Sequence, residues 1–136
     1  MDRKIRNYNQ RFLASCAVLM VLALIGLMAL MALIAKQNRQ IAQFPDSQPI
    51  ASHSNYSRFP TRYKWDDTYQ TNASFTEVYN WYSITFDMGA EARAEGRCIW
   101  LESHQERWII QRSMGVFLCD TPKGRLIFVS QTTWYQ

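Results

Sequence analysis

The chain has 136 residues, and its 15 basic and 11 acidic side chains give it a formal charge of +4. The excess lies at the N-terminus, because residues 36–136 hold 11 basic and 10 acidic side chains. A nearly neutral folded part argues against a nucleic-acid partner, since nucleic-acid-binding domains carry clustered cations. Beyond an apolar N-terminal segment, about 100 residues remain, which suits a single domain.

The first element is a run of 24 uncharged residues from Phe12 to Ala35, rich in Leu, Ala and Met. As a helix it would be about 36 Å long, enough to cross a hydrocarbon core of about 30 Å. A cleavable signal peptide has an apolar core of about 7–15 residues followed by a small-x-small site, and this run has neither. We therefore predict a permanent transmembrane helix at residues 12–35 in the lipid bilayer, after a basic tip at residues 1–11.

The charges that flank this run predict its orientation. Two cations, Lys36 and Arg39, follow the run closely. Four cations precede it: Arg3, Lys4, Arg6 and Arg11. Because positively charged flanks are retained in the cytoplasm, we expect a cytoplasmic N-terminus and an exoplasmic C-terminal domain at the cell (inner) membrane.

Residues 36–62 are predicted to be an extended tether. They contain three of the four prolines, many Gln, Ser and Asn residues, and few aliphatic residues. This composition is typical of a linker without a core of its own. Such a tether could lie across the surface of a neighbouring subunit.

The folded domain is predicted at residues 63–136, and it begins with a helix. In the segment SFTEVYNWYSITF, Ser74 precedes Glu77 by three residues, which is the pattern of a capping box. Gly89 is expected to end the helix, and GAEARAEG is expected to be a polar connection. The aromatic and aliphatic residues at helical spacing are Phe75, Val78, Tyr79, Tyr82 and Phe86.

After Gly96 the pattern changes to short β-rich runs: CIWLES, WIIQ, GVFLCD and RLIFVSQTTW. DTPKGR predicts a hairpin between Val116–Asp120 and Arg125–Ser130, and HQER at 104–107 predicts a second turn. The fold class is therefore α+β. We expect one N-terminal transmembrane helix, an extended linker, and an outer domain with one amphipathic helix on a three- or four-stranded antiparallel sheet.

Cys98 and Cys119 are the two cysteines beyond the apolar run. An even number of cysteines in an oxidising compartment favours a disulfide. A turn at HQER argues against it, because Cys98 would then pair with a residue near Arg112. The sequence thus leaves two alternatives, a disulfide or two buried thiols.

The sequence contains no pattern typical of catalysis, metal binding or cofactor binding. There is no C-x-x-C-H motif for covalent haem, and His53 and His104 have no second ligand at a helical or hairpin spacing. Asp66 and Asp67 would lie on opposite faces of an extended chain, and we interpret them as solvated turn carboxylates. We expect no enzymatic activity, no metal, no cofactor and no small-molecule substrate.

Aromatic residues are the remaining signal, since 17 of the 19 follow residue 35. Most of the helix aromatics, together with Trp100 and Trp108, are expected to belong to the core. Protein interfaces are enriched in aromatic residues, and small residues allow transmembrane helices to approach closely. Ordinary helix filler is an equally good interpretation of the small residues. The candidate interface residues are Gly26, Ala29, Phe44, Trp65, Tyr69, Trp134 and Tyr135.

Three functions are considered, of which the third, a small enzyme, has no catalytic pattern to support it. The first is a non-catalytic, single-pass accessory subunit that contacts other membrane subunits through its span and tether. The alternative is a membrane-tethered exoplasmic module that binds a soluble protein or a glycan, because a sugar-binding platform uses the same aromatic residues.

The order of segments supports the first function. A basic tip, one span, a Pro/Gln tether and a VYNWYS helix before a two-cysteine sheet resemble the small single-span accessory subunits of bacterial energy-transducing complexes of the alternative complex III type. The resemblance is one of architecture and transfers no functional residue. It implies a scaffolding role beside cytochrome subunits.

Overall fold

The computed structural model describes residues 2–59, 61–89 and 93–135. The chain divides into two compact units, Met1–Ile41 and Ala42–Gln136. The first unit consists of helix α1 (Asp2–Ala42), whose last residue belongs to the second unit. Within α1 the stretch Ala14–Ala42 is long and apolar enough to cross a membrane. The predicted long apolar helix is confirmed, and it continues beyond residue 35.

The predicted tether at residues 36–62 differs from the structure. Helix α1 covers residues 36–42, a turn follows in which the Ser47 N–H donates to the Phe44 carbonyl at 3.2 Å, and strand β1 covers Gln48–Arg58. Nearly all side chains of β1 are exposed. An exposed, polar edge strand lacks the apolar alternation that reveals a strand, so its composition looks like that of a linker.

The second unit is built on one antiparallel sheet in the order β1-β2-β6-β5-β4-β3. The remaining strands are β2 (Arg62–Thr71), β3 (Arg93–Glu95), β4 (Cys98–Arg107), β5 (Ile110–Thr121) and β6 (Gly124–Tyr135). The α+β class is confirmed. The predicted three or four strands were too few, because the described residues form a sheet with five strands of ten residues or more and a sixth of three residues.

Helix α2 (Phe75–Phe86) is the amphipathic helix that the sequence predicts. The Ser74 side chain accepts the Glu77 N–H at 3.2 Å, which satisfies a helix donor that would otherwise have no partner. The helix ends at Phe86, and Asp87 caps it in the left-handed conformation with φ 53°, so the predicted end at Gly89 was wrong. The predicted connection after Gly89 includes residues 90–92, which lie outside the described part.

The core lies between α2 and one face of the sheet. Val78 and Tyr82 of α2 are fully buried, and burial raises the pKa of the Tyr82 phenol far above its usual value. The Tyr82 hydroxyl donates to the Ala42 carbonyl at 2.9 Å. Residues of β4, β5 and β6 that alternate along each strand, as one sheet face requires, also belong to this core: Leu101, Met114, Val116, Leu118, Ile127 and Val129.

Three candidate interface residues, Phe44, Trp65 and Tyr69, belong to this core and are at most 5% exposed. Phe44 packs edge-on against Trp81 with ring centroids 5.5 Å apart. Trp65 and Tyr69 lie in β2, which has β1 on one side and β6 on the other. The expectation that so small a domain would not bury Trp65 and Tyr69 was wrong, because the sheet has more long strands than the sequence predicts. Phe44, which the sequence predicts to lie in the tether, is buried as well.

The β4–β5 hairpin differs from its predicted form. The hairpin turns at Trp108 and Ile109, and residues 104–107 continue strand β4. Trp108 belongs to the set of aromatics of which most are expected in the core, but it is fully exposed at the tip. The hairpin of Val116–Asp120 with Arg125–Ser130 is confirmed, since Val116 pairs with Val129 and Asp120 with Arg125.

Candidate functional site

The sheet face opposite α2 is here named the open face, because α2 is the only helix of the second unit among the residues described. Trp100, Phe117 and Phe128 lie next to one another on three adjacent strands of this face. The ring centroids of Trp100 and Phe117 are 6.1 Å apart, and those of Phe117 and Phe128 are 6.2 Å apart. Phe128 remains 40% exposed. The three rings form an aromatic row across the sheet.

The ring of Trp100 lies against the backbone of Gly115. A Cβ atom added at Gly115 would be 2.5 Å from the Trp100 ring, so this position must lack a side chain for the ring to lie there. The indole Nε1 of Trp100 donates to Glu102 Oε2 at 3.4 Å, and Glu102 Oε1 lies 3.2 Å from His104 Nε2. These contacts hold the indole close to the sheet.

The disulfide Cys98–Cys119 lies beside this aromatic row, two residues along the strands from Trp100 and Phe117. The Asp120 N–H donates to the Arg97 carbonyl at 3.0 Å, so the adjacent Cys98–Cys119 pair is a non-hydrogen-bonded one. Such pairs bring the strands closest together, and here the Cα atoms are 4.1 Å apart. Of the two alternatives for the cysteines, the structure has the disulfide.

The other candidate interface residues lie in separate places. Gly26 and Ala29 are exposed on α1. Trp134 is half-buried on β6, where the guanidinium of Arg62 lies 5.5 Å from its ring centroid. Tyr135, the next residue, is 39% exposed. A contact with another protein stays a prediction for these four residues.

The paired aspartates are strand residues, and the interpretation as turn carboxylates was wrong. They do lie on opposite faces of β2, as expected for an extended chain. Asp67 is buried and accepts hydrogen bonds from Ser52 Oγ at 2.6 Å and from the Tyr69 hydroxyl at 3.1 Å. Asp66 pairs with Lys64 Nζ at 3.2 Å on the open face.

Within the described residues, no three His, Cys, Asp or Glu side chains come together as a possible metal site. His53 lies on β1 opposite Asp66, and His104 lies on β4 with more than half of its side chain exposed. Three strands separate β1 from β4 in the sheet, so the two histidines are too far apart to bind one metal ion together.

Sequence reasoning missed the aromatic row, although a signal for it exists. GVFLCD and RLIFVSQ contain the continuous apolar runs VFLC and LIFV, in which apolar residues do not alternate with polar ones. A strand with apolar residues at consecutive positions has two apolar faces. That feature of β5 and β6 predicts apolar surface on the side away from the helix.

The arrangement on the open face can bury apolar area against another surface, with Glu102, His104 and Asp66 available for polar contacts around the rings. Comparison of the chain with protein-family models, with curated protein sequences and with solved structures gives no match.

Proposed function

We propose that this protein is a non-catalytic, single-pass accessory subunit that stabilises a larger membrane protein complex, such as an electron-transfer complex. The observation that carries the proposal is the row of Trp100, Phe117 and Phe128 on the open face. An antiparallel sheet with one face in water usually alternates apolar core residues with polar outer ones. This sheet departs from that rule, because three aromatic residues lie side by side on its open face.

The aromatic row suits the centre of a protein interface. Interface centres are enriched in aromatic residues and are surrounded by polar ones. Burying apolar surface contributes about 25 cal/mol per Å², so three rings that are only partly covered in the free domain can add to affinity. The exposed small residues Gly26 and Ala29 on α1 would add a contact between helices within the bilayer.

We also propose that α1 stays in the membrane and that the second unit lies on the exoplasmic side. The apolar length of α1 and the flanking cations support this arrangement. The Cys98–Cys119 disulfide supports it independently, because structural disulfides persist in oxidising compartments and are rare in the cytosol.

Thiol labelling tests the orientation. In a Cys16→Ser background, a Lys123→Cys probe on the exposed β5–β6 turn should react in intact cells with a maleimide that cannot cross the inner membrane. An Asn7→Cys probe in the same background should react only after lysis. The reverse pattern would contradict the proposed orientation.

A charge placed in the aromatic row tests the docking surface. Phe128→Lys should remove the partner proteins that copurify with the wild-type chain in mild detergent, because burying an unpaired ammonium at an interface costs several kcal/mol. The control is Ile84→Lys on α2, at a position 83% exposed and on the other side of the domain. This variant should keep its partners.

Both variants should keep the wild-type circular dichroism spectrum, since Phe128 and Ile84 are exposed positions. Equal partner retention in the Phe128→Lys variant would remove the open face from the proposal. A wild-type chain that purifies alone from mild detergent would argue against an accessory subunit altogether.

The alternative is a membrane-tethered module that binds a glycan or a soluble protein, and one observation favours it. Trp100 is held close to the sheet over Gly115, and Phe117 and Phe128 continue the aromatic surface. Aromatic surfaces with a few polar groups beside them also bind small ligands. A wild-type chain that purifies alone and binds immobilised glycans would support this alternative.

A further inference from the structure

A second feature of the domain is a pocket of about 250 Å³ formed by residues of strands β1 and β2. Among the described residues, its lining side chains are polar or charged: Asn55, Ser57, Arg58, Arg62 and Lys64. Three of the five are cations, although the second unit as a whole is nearly neutral. The pocket, here named the basic pocket, is therefore a local concentration of positive charge that the overall composition does not reveal.

An irregularity in strand pairing builds the basic pocket. The register of β1 on β2 shifts between Asn55 and Arg58, and Asn55 Oδ1 accepts the Ser57 N–H at 2.9 Å inside that shift. After the shift, Arg58 lies directly opposite Arg62. Bulges and register shifts re-aim side chains and occur often beside binding sites.

The pairing of Arg58 with Arg62 is unfavourable by itself. Like charges directly opposite each other on an antiparallel pair destabilise the sheet. Among the described residues, one carboxylate forms an ion pair with a pocket cation. It is that of Asp66, whose Oδ1 lies 3.2 Å from Lys64 Nζ. Three cations and one carboxylate leave a net local charge of about +2, which an anion would neutralise.

One of the two arginines is held in place. The Arg62 guanidinium lies 5.5 Å from the ring centroid of Trp134, its direct neighbour on β6. A cation over an aromatic face gains electrostatic attraction and loses side-chain freedom. Arg62 is thus positioned before any ligand arrives, which lowers the entropic cost of binding.

We infer that the basic pocket binds the phosphate group of a phosphorylated ligand. Guanidinium groups match phosphate oxygens with two parallel hydrogen bonds, and a lysine adds a point charge. The side chains of Asn55 and Ser57 supply further donors at the pocket wall. A phosphate dianion also balances the local charge and removes the repulsion between Arg58 and Arg62.

This inference goes beyond the proposed accessory role and does not depend on it. The basic pocket is formed by β1 and β2, whereas the aromatic row lies on β4, β5 and β6. The phosphate could belong to a soluble phosphorylated molecule or to a phospholipid headgroup, because both present the same chemistry to the pocket.

The test uses the full-length chain in phosphatidylcholine nanodiscs. Inorganic phosphate is titrated into the protein, and potassium chloride at equal ionic strength is the control. Phosphate should give a saturable heat in calorimetry and should raise the melting temperature of the domain, whereas chloride should do neither. Arg62→Gln should weaken phosphate binding by about tenfold or more, because it removes a charge-assisted hydrogen-bond donor. Arg107→Gln, the same charge change at the exposed end of β4, should leave binding unchanged.

A second variant separates binding from folding. Arg58→Gln should raise the melting temperature in phosphate-free buffer, because it relieves the repulsion opposite Arg62, and should reduce the further gain with phosphate. The inference is overturned if phosphate has no saturable effect on the wild-type chain. It is also overturned if Arg62→Gln and Arg107→Gln weaken binding equally.

Nanodiscs doped with phosphatidic acid distinguish the two sources of phosphate. If the lipid headgroup occupies the pocket, these discs should raise the melting temperature of the wild-type chain and abolish the response to added phosphate. If the ligand is soluble, the phosphate response should be the same in both kinds of disc. The loss of partner proteins from the Phe128→Lys variant tests the accessory role, and phosphate binding tests the basic pocket. Because the two measurements are separate, failure of one proposal can be distinguished from failure of the other.

Discussion

Replacing Trp65 by alanine is expected to lower the free energy of unfolding of the outer domain by about 3–5 kcal/mol. Trp65 is 2% exposed and belongs to the core cluster between α2 and the sheet. Small domains have a total stability of about 5–15 kcal/mol, so this single change removes a large share of it. Urea unfolding of the full-length chain in detergent, followed by near-ultraviolet circular dichroism, measures the difference.

The matched control is Trp108→Ala, which deletes the same side chain at the tip of the β4–β5 hairpin. Because Trp108 is fully exposed, its removal should change the free energy of unfolding by about 0.5 kcal/mol or less. If the two tryptophan variants unfolded at the same urea concentration, the assignment of Trp65 to the core and Trp108 to the surface would be wrong.

Loss of the disulfide should have the second largest effect. The double variant Cys98→Ser/Cys119→Ser should lower the free energy of unfolding by about 3 kcal/mol, since the bond closes a loop with a sequence separation of 21 residues. The same urea experiment measures it, with and without dithiothreitol. The reductant should destabilise the wild-type chain and leave the double variant unchanged.

Cys16→Ser is the control for this experiment, because Cys16 is a free cysteine on α1 and takes no part in the domain. It should leave both urea curves as in the wild type. A wild-type chain that unfolds at the same urea concentration with and without reductant would contradict the disulfide.

The disulfide also stabilises part of the open face. It joins β4 to β5, and among the described residues β4 has the three-residue β3 on its outer side. Trp100 lies on β4 and Phe117 on β5, two residues from the cysteines. The bond therefore holds two strands of the aromatic row together near an edge of the sheet.

Elements that depend on neighbours in the chain could be predicted from the sequence. The capping box of Ser74 and Glu77, the apolar run of α1 and the Pro122–Gly124 turn signal each lie within one local segment. Their physical causes are a local hydrogen bond, local hydrophobicity and local backbone preference. These three elements are present in the structure.

Elements that depend on pairing between distant segments could not be predicted. The register of Cys98 with Cys119 is set by the two-residue turn at Trp108 and Ile109, and moving that turn by a few residues would separate the cysteines. A side chain on one strand changes face with every one-residue shift, so a small error in the turn alters all pairs that follow.

By itself, the sequence determined a long apolar helix, a capped second helix, a hairpin near the C-terminus and a nearly neutral domain with two cysteines. Only the tertiary structure decided that β1 joins the sheet, that Trp65 and Tyr69 are buried, and that Arg58 faces Arg62. The physical reason is the same in each case. Burial and cross-strand pairing depend on which distant strand lies alongside, and polar strands such as β1 carry no periodic apolar pattern that would reveal their neighbours.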